Sequence, residues 1–198
     1  MRSSALPKKK ITKPQTLAER LDYFDKICPE KKALLAPCYV NKDLEYKEFT
    51  FQKLKQRADR YAHGLANEGI TEGTVVLLMI PPGLEFVSLW FALSKLGAVV
   101  MLIDPGMGRK NLLHCIEEIS PEALISVPAV HYLTKVFKKP FRNVRTRIST
   151  DHALFQKALT LSDIRIDRGP FRNIEVSEED TSAIVFTTGS TGIPKGVV

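Results

Sequence analysis

A dense group of residues able to donate hydrogen bonds to an anion lies near the end of the sequence. The segment combines hydroxyl side chains, glycines and one lysine, and in chain order it contains Thr187, Thr188, Gly189, Ser190, Thr191, Gly192 and Lys195. Gly189, Gly192 and Gly196 let the backbone approach a ligand closely, and successive N–H groups can converge on an anion. Hydroxyls add donors, and a lysine adds a mobile positive charge. The combination predicts a loop that binds a polyanion such as a chain of phosphates.

The spacing within this loop differs from that of the common P-loop. The P-loop requires a glycine, four residues and then Gly-Lys followed by Ser or Thr at the start of a helix. Here Gly189 and Gly192 are three residues apart, and Lys195 follows a proline. Apolar residues lie on both sides, at 183–186 and 197–198. This order predicts a strand, a loop and a second strand. A plain surface turn is the alternative, but such a turn needs neither four hydroxyls nor a lysine.

Residues 187–196, with the sequence TTGSTGIPKG, resemble the phosphate-loop signature of the adenylate-forming superfamily. That superfamily includes acyl-CoA synthetases, luciferases and the adenylation domains of peptide synthetases. The commonest form of the signature has Ser where this chain has Thr188, and the replacement keeps the hydroxyl. Asp180 and Ala183 fit the usual lead-in. The resemblance extends over about residues 16–198.

The elements that must position this loop follow from the hydrophobic pattern, which predicts an α/β fold of mainly parallel βαβ units. Thr16 and Glu19 form a capping box at the start of a first helix. Two unbroken apolar runs, 75–80 and 98–103, are typical of strands buried on both faces, and a helix over 84–96 separates them. Short connections of this kind require a parallel pair of strands. The resemblance implies the large N-terminal domain of an adenylate-forming enzyme, in incomplete form.

Other segments carry weaker signals of regular structure. Extended runs are predicted at 33–39 and 44–49, and a second helix is predicted with one buried face formed by Leu54, Ala58, Tyr61, Ala62 and Leu65. Gly69 is placed to end that helix. Further strand and helix signals lie at 123–127, 130–137, 144–148 and 151–159.

The segment after Asp104 and Pro105 indicates which branch of the superfamily the chain resembles. Peptide-synthetase adenylation domains usually carry a second proline before an Arg, whereas this chain has Gly106-Met107-Gly108-Arg109. The segment is more similar to the fatty-acyl ligase branch. That branch includes enzymes that close a β-lactone from a long-chain 3-hydroxy acid during olefin biosynthesis. The two glycines also have a purely structural interpretation, a loop before the next helix.

The resemblance implies an ATP-dependent acid ligase. A carboxylic acid, in this branch a fatty acid, is activated as acyl-AMP with release of pyrophosphate, and the acyl group then passes to CoA. ATP and Mg²⁺ are the implied cofactors, and CoA is the implied acceptor. β-Lactone closure is the alternative within the superfamily. A non-catalytic relic or phosphate-binding module is the alternative if the short chain acts alone.

The same resemblance implies which residues bind ATP and how the chain is divided into segments. The residues from Thr187 to Gly192, together with Lys195, would bind the ATP phosphates, and no metal ligand is predicted. Catalytic residues are expected downstream of Val198, so we expect the chain alone to be inactive. We predict a basic, disordered leader over residues 1–15. Residues 16–198 would form the N-terminal portion of an AMP-binding domain in a truncated chain.

Composition predicts a cytoplasmic enzyme without a transmembrane segment. Cys28, Cys38 and Cys115 are odd in number and lack metal-site spacing, which is typical of reduced thiols. No apolar run approaches the ~20 residues of a membrane-spanning helix. The N-terminus lacks the apolar core of a secretory signal.

The net charge of +7 is concentrated in two stretches without acidic residues. The first carries Arg2, Lys8, Lys9, Lys10 and Lys13, and the second carries Lys135, Lys138, Lys139, Arg142, Arg145 and Arg147. Either stretch could contact the anionic surface of a membrane, CoA phosphates or an acidic carrier protein. A solvated surface is the alternative. No nucleic-acid recognition motif accompanies the charge, so specific nucleic-acid binding is not predicted.

Overall fold

The computed structural model of the chain describes residues 14–40, 43–152, 158–188 and 194–198. For residues 38–40, 187 and 188 it describes the backbone only. The α-helices of these ranges are α1 (Leu17–Ile27), α2 (Phe51–Asn67), α3 (Leu84–Lys95), α4 (Arg109–Ile119) and α5 (Pro128–Val136). A short 3₁₀-helix covers Pro105–Met107.

The described residues also form two β-sheets. Two strands, β1 (Lys32–Val40) and β2 (Asp43–Thr50), make an antiparallel hairpin. The strands of the main sheet are β3 (Val75–Met79), β4 (Val99–Leu102), β5 (Ala123–Ser126), β6 (Thr146–Ser149), β7 (Leu159–Thr160), β8 (Ala183–Thr188) and β9 (Pro194–Val197).

The main sheet has the strand order β7-β6-β5-β3-β4-β8-β9. Every neighbouring pair is parallel except β8 and β9, which are antiparallel. The predicted α/β class and the parallel pairing of β3 with β4 are therefore confirmed. The predicted segment 151–159 lies mostly outside the described residues, because 153–157 are among those left out.

Strand β3 is buried on both faces, as its unbroken apolar sequence predicts. Val76 and Leu78 belong to one hydrophobic cluster with residues of α2 and α3, including Tyr61. Leu77 belongs to a second cluster with residues of α4 and α5, including Ile116. Because successive side chains of a strand alternate between faces, α2 and α3 cover one face of the sheet and α4 and α5 cover the other.

Local signals set the ends of the helices. The Thr16 hydroxyl accepts a hydrogen bond from the Glu19 N–H, and the Glu19 carboxylate accepts one from the Thr16 N–H, so the predicted capping box is confirmed. Gly69 follows α2 with a φ of +82°, and Gly97 follows α3 with a φ of +65°. A Cβ at Gly97 would lie 2.8 Å from Val176 Cγ1, so glycine is needed there for space as well as conformation. The predicted buried face of α2 is also confirmed, since all five of its residues are 3% exposed or less.

A buried lysine joins the three N-terminal helices. Lys95, at the end of α3, is fully buried, and its Nζ lies 2.7 Å from Asp22 Oδ1 of α1 and 3.1 Å from Asp59 Oδ1 of α2. The same Nζ donates to Asn173 Oδ1 at 3.1 Å. Lys55 adds a second cation, 2.6 Å from Asp59 Oδ2. The sequence suggests only a polar break in an apolar region at Lys95, so this network is a feature that sequence reasoning misses.

Candidate functional site

The predicted anion-binding loop lies between β8 and β9, at one end of the main sheet. Strand β8 runs parallel to β4, with Met101 opposite Ile184 and Leu102 opposite Val185. Both strands therefore end at the same edge of the sheet. Strand β9 returns antiparallel, with Thr187 opposite Lys195 and Thr188 opposite Pro194. The two predicted strands are therefore confirmed, and the segment between them, residues 189–193, lies outside the described residues.

Lys195 is held beside the start of the loop by the register of the hairpin. Residues directly opposite each other in an antiparallel pair share one face of the sheet, so Lys195 lies on the same face as position 187. Its side chain is exposed, whereas that of Pro194 is buried. Proline cannot donate to a strand ladder, and the first residue of an outer strand is a position that tolerates it. A buried proline thus precedes an accessible cation at the end of the loop.

The predicted site residues fall into two groups. The backbone positions of Thr187 and Thr188 and the whole of Lys195 are described, and the fold brings them together across the hairpin. Gly189, Ser190, Thr191 and Gly192 lie outside the described residues. Their binding to phosphate stays a prediction.

Gly196 has a different role from the one that the sequence suggests. It lies within β9, opposite Phe186, and not in the loop. It does not adopt a left-handed conformation. A Cβ at this position would lie 3.4 Å from both Phe186 Cζ and Ile184 Cγ2. These distances are ordinary van der Waals contacts, so glycine is not required for space here, and Gly196 is a residue of the strand that carries Lys195.

The turn that follows β4 reaches the same edge of the sheet. The Asp104 carboxylate accepts a hydrogen bond from the Gly106 N–H at 2.7 Å and caps the short 3₁₀-helix. Gly108 then adopts a φ of +86° immediately before α4. The structural interpretation of Gly106 and Gly108 as residues that shape a loop is therefore confirmed. This interpretation is compatible with the subgroup resemblance and does not decide it.

One histidine and one cysteine of the described residues, His131 and Cys115, are buried and serve packing. His131 is fully buried, and its Nε2 lies 3.1 Å from the Ile148 carbonyl oxygen. Burial lowers the pKa of this imidazole. Cys115 is also fully buried, and burial raises the pKa of its thiol. A raised thiol pKa disfavours the thiolate, which is the nucleophilic form.

A cleft of the described residues lies away from β8 and β9. It has a volume of about 610 Å³ and is lined by α2 and by residues 162–167, with no residue from β4, β8 or β9. Two of its cations are paired, Arg57 with Glu85 and Arg60 with Asp167. The cleft is therefore separate from the predicted phosphate site, and its charge is partly neutralised.

The described ranges contain neither a cluster of metal ligands nor a membrane-spanning helix. No group of three or more His, Cys, Asp or Glu residues there could hold a metal ion. No helix in the same part of the chain is long and apolar enough to cross a membrane.

Comparison with known proteins agrees with the geometry. A family model described as "AMP-binding enzyme" matches residues 26–198. An olefin beta-lactone synthetase of Stenotrophomonas maltophilia is 36% identical over 191 residues, which cover 93% of this chain and 33% of that protein. The olefin beta-lactone synthetase of Xanthomonas campestris is 33% identical with the same coverage.

The fold also matches a solved structure. A long-chain-fatty-acid-CoA ligase of Archaeoglobus fulgidus superposes with a TM-score of 0.72 at 23% identity, over 93% of this chain and 36% of that one. At this identity the likeness shows the fold alone. The chain spans about a third of the length of the curated relatives named above.

Proposed function

Because this chain belongs to the family of AMP-binding enzymes, we propose that it supplies the pyrophosphate-side loop of an ATP-dependent acid ligase. A carboxylate oxygen of the acid attacks the α-phosphorus of ATP. The bond between the α-phosphorus and the α–β bridging oxygen breaks, and pyrophosphate leaves with the electron pair of that bond. The acyl-AMP that remains carries the activated acyl group. We propose a fatty acid as the substrate.

The observation that carries this proposal is the position of Lys195. An exposed cation on β9, directly across from position 187, lies where it can reach an anion bound in the loop. The loop itself would add backbone N–H groups and the hydroxyls of Thr187, Thr188, Ser190 and Thr191. Donors fixed near the β- and γ-phosphates stabilise the negative charge that builds up on the leaving pyrophosphate. Each charge-assisted hydrogen bond contributes about 1.5–3 kcal/mol.

Mg²⁺, when bound, would share the negative charge of the phosphates. The described residues offer no carboxylate cluster to hold it. We therefore assign no step of the proposed reaction to a metal ligand of this chain.

The fate of the acyl group has two candidates. Transfer to CoA is the first, and it follows from the resemblance of the loop to acyl-CoA synthetases. Closure of a β-lactone is the second, and it is favoured by the two synthetases that match 93% of the chain at 36% and 33% identity. In lactone closure, the 3-hydroxyl oxygen of the acyl-AMP attacks its own carbonyl carbon, and AMP leaves.

The adenylation step can be tested in a chimera. Residues 1–198 would replace the corresponding segment of the S. maltophilia synthetase, because the chain spans a third of that protein. We expect the chimera to catalyse exchange of labelled pyrophosphate into ATP. Lys195→Ala should slow this exchange roughly 10- to 150-fold, the effect of losing one charge-assisted hydrogen bond. Conversion of preformed acyl-AMP should change less than about twofold, since pyrophosphate is absent from that step.

A matched control is Lys53→Ala, which removes an exposed lysine of α2 away from the loop. It should leave both half-reactions unchanged. Equal losses of both half-reactions in Lys195→Ala would contradict the proposed role of this residue. A chimera that folds but shows no exchange with any fatty acid would contradict the proposed function.

A single substrate can distinguish transfer of the acyl group to CoA from closure of a β-lactone. A long-chain 3-hydroxy acid is supplied with ATP, with and without CoA, and the products are identified by mass spectrometry. A β-lactone formed without CoA supports lactone closure, whereas an acyl-CoA formed only with CoA supports thioester formation.

A further inference from the structure

An exposed basic surface is formed by α5 and the turn that follows it, on the side of the sheet covered by α4 and α5. We call it the α5 surface and define it by Tyr132, Val136, Lys138, Arg142 and Arg145. Tyr132 and Val136 lie one helical turn apart and are 37% and 72% exposed. The three cations are exposed on the turn that leads from α5 to β6. Two apolar side chains therefore lie in solvent beside a cluster of positive charge.

The fold holds this surface in place from below. Val130 of α5 and Phe141 and Val144 of the following turn are buried in the same hydrophobic cluster as residues of α4. Burial of these side chains fixes the turn, so the residues between them point outward. The α5 surface is therefore presented by packed structure.

The charge of this region is predominantly positive. The sequence contains no acidic residue between Glu122 and Asp151. From the neighbouring helix α4, Glu117 pairs with Lys139 and also interacts electrostatically with Arg142, which offsets part of this positive charge. The same helix contributes a cation, since the Arg109 guanidinium lies 5.7 Å from the centre of the Phe137 ring, next to Val136.

We propose that the α5 surface docks this chain on an anionic lipid bilayer, with Val136 and Tyr132 entering the interface between cations that lie over the headgroups. Clustered lysine and arginine residues are attracted to anionic lipid, and amphipathic aromatic rings prefer the interfacial layer. The inference is independent of the proposed ligase chemistry, because it concerns only where the protein binds.

A bilayer fits this surface better than an acidic protein does. A stable protein interface buries about 800 Å² on each partner and has an apolar centre. Two separated apolar side chains do not supply such a centre. Attraction to a charged membrane needs no complementary shape and grows with each cation near the surface.

Binding can be measured by sedimentation of the 198-residue chain with vesicles of phosphatidylcholine, with or without phosphatidylglycerol. We expect binding only to the anionic vesicles. The variant Lys138→Gln/Arg142→Gln/Arg145→Gln should lose roughly 100-fold in partition coefficient, about fivefold for each cation. Val136→Ser should lose roughly three- to tenfold through the apolar contact.

The matched control is Lys26→Gln/Lys47→Gln/Lys53→Gln, which removes the same net charge from exposed positions on α1, β2 and α2. It should retain binding within about threefold, the residual effect of net charge. All variants keep the basic residues before Pro14, and circular dichroism confirms that each one is folded.

Three results would overturn the proposal. Wild-type protein that does not sediment with anionic vesicles would do so. Equal losses in the two triple variants would show attraction by net charge alone. Equally tight binding to soluble polyglutamate, with no effect of Val136→Ser, would assign the surface to an acidic protein instead.

Discussion

Replacement of Lys95 by methionine tests how the N-terminal helices are attached to the sheet. Methionine keeps the apolar stem of the side chain and removes the cation. In the folded chain that cation contacts Asp22, Asp59 and Asn173 at 2.7–3.1 Å, and the lysine is fully buried. Lys95→Met therefore leaves Lys55 as the remaining cation of both carboxylates, 2.6 Å from Asp59 Oδ2 and 3.9 Å from Asp22 Oδ1.

The loss in the free energy of unfolding depends on the partners that each carboxylate keeps. Removing one partner of a buried ion pair costs about 3–5 kcal/mol, because the other charge is left buried. Asp59 is 3% exposed but keeps Lys55 at 2.6 Å. Asp22 has a side chain 33% exposed and still accepts a hydrogen bond from Asn173 Nδ2 at 2.8 Å. These partners place the expected loss at the lower end of the range, about 3 kcal/mol.

The loss can be measured by urea unfolding followed by circular dichroism and by the fluorescence of Trp90, the one tryptophan of the chain. With an m-value of about 2 kcal/mol/M, the midpoint should fall by about 1.5 M. Lys32→Met is the matched control, since its ion pair with Glu48 is exposed and should contribute less than about 1 kcal/mol. Asp59→Asn should restore at least about 1 kcal/mol in the Lys95→Met background.

Two results would refute this account of Lys95. One is a cost below about 1 kcal/mol, which would show that the buried carboxylates need no cation. The other is an equal cost for Lys95→Met and Lys32→Met. Transitions that differ between the two probes would show that the N-terminal helices unfold separately from the sheet.

Two further predictions concern packing and pH. Gly64→Ala would place a Cβ 1.8 Å from the Ile164 carbonyl oxygen, so it should lower the free energy of unfolding in urea by up to about 3 kcal/mol. Gly196→Ala, with contacts of 3.4 Å, should lower it by less than about 1 kcal/mol. Equal losses in the two variants would contradict the packing argument. Because burial lowers the pKa of His131, the unfolded chain binds a proton first on acidification, so stability should fall below about pH 6.5 by up to about 1.4 kcal/mol per pH unit. His131→Gln should flatten this decline, and an unchanged slope would assign the decline to other groups.

The elements that could be predicted from sequence are those specified by local patterns. The capping box at Thr16, the buried face of α2 and the unbroken apolar run of β3 each depend on residues within one element. The strand, loop and strand order around Lys195 is of the same kind, since apolar runs flank a segment rich in glycine and hydroxyls. Local spacing is enough to predict such features.

Features that depend on distant residues could not be predicted. Lys95 and Asp22 are separated by 73 residues, and only the packing of α1 against α3 brings them together. The place of Gly196 within β9 depends on the register of the hairpin, which brings it opposite Phe186. A glycine near phosphate-binding residue types favours a loop role on chemistry alone. The register of the hairpin places Gly196 in β9 instead.

The strand order indicates a second possible position for the nucleotide, but the residue types there are less suited to binding phosphate. In open α/β sheets, ligands commonly bind at the carboxyl edge where the chain reverses the direction in which it adds strands. Here the reversal lies between β3 and β5, because β4 is added on one side of β3 and β5 on the other.

The connections at that crevice carry prolines and no lysine. Pro81 and Pro82 follow β3, and Pro128 begins α5 directly after β5 and Val127. Proline has no backbone N–H, so each of these positions offers one donor fewer to an anion. The loop after β8 has glycines, hydroxyls and Lys195 at the same edge of the sheet. Since function depends on the residues grafted onto a fold, we propose that the phosphates bind at the β8–β9 hairpin, two strands away from the crevice that topology alone would favour.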